Sequence, residues 1–122
     1  MIETLFLNVL KSQAPVTALV ADRIWPIELP DECPLPAIEY MFVGGSPDPT
    51  FDTNGSRRLR VEVNCWGTSY GAATHLREVV RLALDGYQDD SMTIFGIQPL
   101  DFFDKDSRQY RATYEFYVFT TL

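Results

Sequence analysis

Residues 57–66 read Arg57-Arg58-Leu59-Arg60-Val61-Glu62-Val63-Asn64-Cys65-Trp66. Leu59, Val61, Val63 and Cys65 alternate with Arg58, Arg60, Glu62 and Asn64. A period of two is the period at which an extended strand returns side chains to the same face. One face is therefore apolar and one wet, the pattern of an antiparallel sheet covered on a single side. The following residues supply a cover. Gly67-Thr68-Ser69 offers a helix N-cap, and Ala72, Ala73, Leu76, Val79, Val80, Ala83 and Leu84 recur at helical spacing. Thr74, Glu78, Arg81 and Asp85 fall on the opposite side, and Gly86 provides a left-handed stop.

Upstream, Ile2, Leu5, Phe6, Val9 and Leu10 mark an amphipathic helix over residues 1–12. Pro15 ends it, and residues 16–21 make one further helical turn. Residues 24–29 are extended, and Pro26 suits an edge position. A strand over residues 37–43 sets Ile38, Tyr40 and Phe42 on one face and Glu39 and Met41 on the other. Downstream, residues 92–103 form a strand kinked by Gly96 and Pro99. In residues 110–120, Tyr110, Ala112, Tyr114, Phe116 and Val118 alternate with Arg111, Thr113, Glu115, Tyr117 and Phe119. The expected fold class is α+β, in the order α-β-β-β-α-β-β. Two helices pack on one face of a mostly antiparallel sheet, in a single domain over residues 1–122. Leu5, Val9, Leu76, Val80, Val61 and Val63 belong to its core.

Two prolines and several turn-forming residues interrupt the chain at residues 44–56. This long connection is expected to be mobile in the free subunit and to contact a partner through Ser46, Asp48, Phe51 and Asp52. Trp66, Tyr117 and Phe119 occupy the strand phase that faces water, which points to a covering layer or a second chain.

Charge narrows the functions further. The formal net charge is −7, a poor basis for gripping nucleic acid, whose affinity comes mainly from cations meeting phosphates. Residues 22–52 carry seven acids against Arg23, a sum of −6; residues 57–81 carry five arginines against Glu62 and Glu78, a sum of +3; residues 85–106 carry six aspartates against Lys105, a sum of −5. Segregated charge suits head-to-tail packing of like subunits. Arg57, Arg58 and Arg60 are accordingly expected to face Asp101, Asp104 and Asp106 of a neighbouring copy.

Catalytic chemistry finds little support. His75 is the one histidine and has no nucleophile or carboxylate at motif spacing. Asp101, Asp104 and Asp106 lack the central glycine and closing glutamate of a calcium loop. Gly44-Gly45 precedes prolines rather than a helix. Cys33 and Cys65 are too few for a disulfide scaffold and read as reduced thiols. No catalytic, cofactor or metal site is expected. No apolar run approaches the roughly 20 residues of a membrane span, and the N-terminus does not read as a secretion signal.

The chain resembles the tail-completion, or tail-terminator, proteins of long-tailed bacteriophages and prophages. The resemblance runs through Val16-Thr17-Ala18-Leu19-Val20-Ala21-Asp22-Arg23-Ile24-Trp25-Pro26 and Pro36-Ala37-Ile38-Glu39-Tyr40. It continues in Arg60-Val61-Glu62-Val63-Asn64-Cys65-Trp66-Gly67, then in Ser69-Tyr70, Ala72-Ala73 and Val79-Val80-Arg81-Leu82-Ala83-Leu84-Asp85-Gly86. It implies a virion protein without enzymatic activity, assembled in the bacterial cytoplasm into a ring, often a hexamer, at the head-proximal end of the tail. Its partners would be further copies of itself, the tail tube protein and the head–tail connector, with DNA passing through the lumen without specific binding. The alternatives are another connector component, or a small cytoplasmic ligand-binding or minor enzyme domain.

Overall fold

The alternation in residues 57–66 becomes β3 (Arg57–Gly67), the central strand of a five-stranded sheet in the computed structural model, which describes residues 2–43, 57–104 and 109–120. The full order is α1 (Ile2–Lys11), α2 (Ala14–Val20), β1 (Ile24–Pro26), β2 (Ala37–Phe42), β3, α3 (Tyr70–Leu84), β4 (Met92–Asp104) and β5 (Gln109–Thr120). Spatially the strands run β1-β2-β3-β5-β4. β1 is parallel to β2, and every other pairing is antiparallel.

The α+β class and element order are as the sequence predicts, with one correction. The described residues fold three helices, not two. The turn expected at residues 16–21 is the seven-residue α2, entered through Gln13 in an extended conformation with proline in its first turn. Proline is favourable there because the first N–H groups of a helix have no partner within it. α3 begins as expected, with the Ser69 side chain accepting from Ala72 N–H at 3.0 Å. Gly86 follows its end with φ +83°.

The registers Tyr40↔Val63↔Tyr114 and Phe42↔Val61↔Phe116 place these residues on one side of the sheet. Ile38, Cys65, Val118 and Ile94 join them, and all three helices cover this side. Phe6 of α1 meets Tyr40 and Phe42 ring to ring at 5.8 and 5.6 Å. Val16, Val20, Leu76, Val80 and Leu84 bring α2 and α3 into the same buried cluster. Full burial of each such aliphatic or aromatic side chain contributes about 1.5–3 kcal/mol. Gly67 lets β3 run close under α3, since a Cβ there would lie 2.7 Å from the Ala73 nitrogen.

Both sheet edges are blunted. β1 has three residues and ends at Pro26, which cannot donate to a further strand. Along β4, the chain leaving α3 lies against the outer backbone. Ile94 N–H donates to Tyr87 O at 2.9 Å, Gly86 N–H to Ile94 O at 2.8 Å and Asp89 N–H to Met92 O at 2.9 Å. Gly96 N–H donates to Asp85 Oδ1 at 2.8 Å.

Between β1 and β2 the chain wraps around one end of the sheet. Arg23 ties this segment down, donating through Nε to Pro36 O at 2.9 Å and through Nη2 to Leu19 O at 3.2 Å near the C-terminus of α2. Cationic groups are favourable near helix C-termini.

Candidate functional site

Among the described residues no helix covers the second side of the sheet, and its side chains form rows read directly from the strand register. Arg58, Phe119 and Thr93 make one row; Arg60, Tyr117 and Phe95 the next; then Glu62, Glu115 and Gln98. Asn64, Thr113 and Leu100 follow, then Trp66, Arg111 and Phe102. The irregularity between Gly96 and Gln98 absorbs one residue of β4. It turns Gln98, Leu100 and Phe102 onto this open face and Asp101 and Phe103 onto the helix side.

The middle of the open face is a polar layer that satisfies itself laterally. Glu39, Asn64, Thr113 and Glu115 are each at most 7% exposed. Trp66 Nε1 and Asn64 Nδ2 donate to Glu39 Oε1 at 3.1 and 3.3 Å, and Thr113 Oγ1 donates to Asn64 Oδ1 at 2.6 Å. Arg60 Nε and Gln98 Nε2 donate to the two oxygens of Glu115 at 2.6 and 2.8 Å. Buried polar groups require such partners, because leaving one unmade costs about 1–3 kcal/mol.

Toward the two ends the face turns aromatic. At one end the Arg111 guanidinium lies 4.0 Å from the Phe102 ring centre and 5.8 Å from that of Trp66. At the other, Arg58 sits 4.7 Å over Tyr117, and Phe119 meets Phe95 and Tyr117 at 5.7 and 6.2 Å. Phe95, Phe102 and Phe119 remain 48%, 45% and 37% exposed.

The expected contact residues separate between the two sides. Arg58 and Arg60 lie on the open face, and Arg60 is already paired with Glu115. Arg57 shares the phase of Leu59 and belongs to the helix side, its Nε buried without an acceptor among the described residues. Asp101 lies on the helix side as well, paired with Arg77 and accepting from the Tyr70 hydroxyl at 2.9 Å. Hydrogen bonds from Arg77 and then Tyr70 hold its carboxyl below the ordinary aspartate range. Asp104 ends β4 opposite Gln109. Asp106 and the loop residues Ser46, Asp48, Phe51 and Asp52 lie outside the described residues. Trp66, Tyr117 and Phe119 are on the open face, as their phase predicts.

Some features escape the sequence reading. Trp25 joins the open face because β1 pairs in parallel with β2, setting it opposite Glu39. Burial of Glu39 and Glu115 is hidden by alternation, which marks both simply as wet positions. Beside Glu39, the segment over residues 28–35 closes a cleft of about 370 Å³ whose walls include Glu28, Asp31, Glu32, Glu39, Cys33 and Trp66. Among the described residues its walls contain no lysine or arginine. His75 is exposed on α3. Cys65 is fully buried, which pushes its thiol pKa far up. Among the described residues no group of three His, Cys, Asp or Glu side chains is placed to hold a metal.

Residues 6–121 match the family model described as Tail completion protein gp17. The chain belongs to that family. It is thus a structural component of a phage tail, and the match spans every strand of the sheet, α2 and α3, and α1 from Phe6 onward. The fold of this tail completion protein is also that of a chain in the "Virion of native gene transfer agent (GTA) particle", with a TM-score of 0.68. The two are 14% identical, over 93% of this chain and 89% of that one. At that identity the likeness is one of fold. No curated protein matches the sequence.

Proposed function

We propose that this tail completion protein is a ring subunit that caps the tail tube at its head-proximal end and offers the surface on which the head connector docks. The observation that carries the reading is the family match over residues 6–121. The open face supports it physically. It is a polar layer satisfied within itself, flanked at both ends by exposed aromatic side chains stacked with arginines. Interfaces are enriched in aromatic residues and arginine. With both sheet edges partly blunted, the faces offer the main surface for contact with copies of itself, the tube protein and the connector. A net charge of −7 favours a lumen through which DNA slides without being held. The role is structural and requires no chemistry from the chain.

The test is growth of tail tubes from purified tube protein, with and without this chain. Light scattering of the chain alone is measured alongside. The reading expects closed oligomers, alone or on tube ends, and tubes that stop lengthening once capped. Tubes that elongate equally in its presence, from a chain that stays monomeric, overturn it.

A further inference from the structure

We infer that the acidic cleft beside Glu39 is the receiving half of a contact between two copies of this chain, and that the Arg58 end of the neighbour's open face is what it receives. The inference rests on the ring reading above and names its interface. Four carboxylates, Glu28, Asp31, Glu32 and Glu39, line a cleft whose walls hold no cationic side chain among the described residues. The decisive one is Glu39, only 7% exposed. Its Oε1 accepts from two neutral donors, Asn64 and Trp66. Among the described residues no donor reaches its Oε2, and no arginine or lysine pairs with it. A carboxylate so little exposed, with no counter-charge among the described residues, favours a cation beside the oxygen it leaves open to the cleft.

The donor follows from the other charges. Arg60, Arg77 and Arg81 are paired within the chain to Glu115, Asp101 and Glu78. Arg23 is committed to backbone carbonyls, Arg111 lies between Phe102 and Trp66, and Arg57 has the helix-side phase of Leu59 with its Nε buried. Arg58 is exposed, has no carboxylate partner among the described residues, and stands among Tyr117, Phe119 and Phe95. The nearby Asp89 is occupied by the Tyr87 hydroxyl and by the Ser91 and Met92 N–H groups. Arg58 and the cleft residue Trp66 are eight positions apart on one strand, roughly 26 Å at the rise of a β-strand. One copy cannot close that distance on itself. Two copies arranged head to tail can, and repeating the contact generates a ring when the rotation closes. Asp101 is a weaker counterpart, since Arg77 and Tyr70 already hold it on the helix side.

Three full-length variants test this: Glu28→Lys with Asp31→Lys and Glu32→Lys, Arg58→Glu, and Glu39→Gln. All the residues of the first two are exposed, and glutamine keeps the Oε1 acceptor, so circular dichroism should show all three folded. Association is read by light scattering at low salt, alone and on tube ends. Each of the first two variants should associate at least tenfold more weakly than wild type, and mixing them should restore assembly. Glu39→Gln should leave the monomer as stable or more stable while weakening association. If the charge-reversed variants assemble like wild type, or their mixture fails to recover, the contact is wrong although the ring stands. Wild type that never associates, alone or on tubes, removes the ring reading and this inference together.

Discussion

On one side of β3 and β5, Val61, Val63, Phe116 and Val118 lie fully buried beneath three helices. On the other side, a single residue along each strand, Arg60, Glu62, Glu115 and Tyr117 share a layer that no described helix covers. The helix side is held by removal of apolar surface from water, a force without direction. The open side keeps its charges by pairing them sideways, Arg60 and Gln98 on Glu115, Asn64 and Trp66 on Glu39. Most of its middle is therefore paired within the chain, with Glu39 Oε2 left toward the cleft. Its ends stay open, because their aromatic rings remain exposed. The contrast teaches where association has something to gain: at the ends of the open face and beside Glu39, not across the rest of its centre.

Substitutions break this comparison in a graded way. Phe116→Ala and Leu76→Ala remove fully buried side chains from the helix side, at an expected cost of about 3–5 and 2–5 kcal/mol in urea unfolding. A loss under about 0.5 kcal/mol at either, as at surface positions, would mean the covered face is misassigned. Thr113→Val keeps the shape of the central layer but strips the hydrogen from Asn64 Oδ1. It should cost about 1–3 kcal/mol, and an unchanged midpoint would show that water replaces the hydroxyl.

At the ends of the open face, Phe95→Ala and Phe119→Ala lose mainly their mutual ring contact, about 1 kcal/mol or less in the monomer. Light scattering should show a larger loss in association. Equal effects on folding and assembly would erase the distinction between centre and ends. The smallest effect belongs to Asp101→Asn. The folded carboxyl titrates below its unfolded value of about 3.9, so its pairing with Arg77 stabilises the protein above that pH and is lost as pH falls through the lower native value. The variant should cost under about 1 kcal/mol at neutral pH and flatten that part of the acid limb of stability against pH. A wild-type acid limb identical to the variant's would show that the exposed pair contributes nothing.

The sequence exposed the face of each long strand because alternation reports burial wherever one side is uniformly apolar. It also located the cap and stop of α3, where Ser69 and Gly86 have local chemistry that few other positions satisfy. It underestimated α2, since seven residues behind a proline leave too short a period to read. The site was less legible. A period of two marks Glu39 and Glu115 as wet, yet neighbouring side chains close over both. Parallel pairing of β1 is a long-range event that nothing near Trp25 announces. The arginine cluster was visible as composition, but only register shows that Arg57 and Arg58 point to opposite sides and that Asp101 is already engaged.

The strip of backbone that follows α3 and lies along β4 has a consequence for how this protein behaves in quantity. Adding strands edge to edge has no natural last member; each newcomer exposes another edge, and such growth runs on into fibres. With Gly86, Tyr87 and Asp89 occupying part of β4's outer backbone and Pro26 ending β1, that route is obstructed at both margins. Contacts must go through the faces, where geometry can return the last subunit to the first. A protein proposed to bring the growth of another polymer to a halt thus has a backbone poorly suited to starting one of its own.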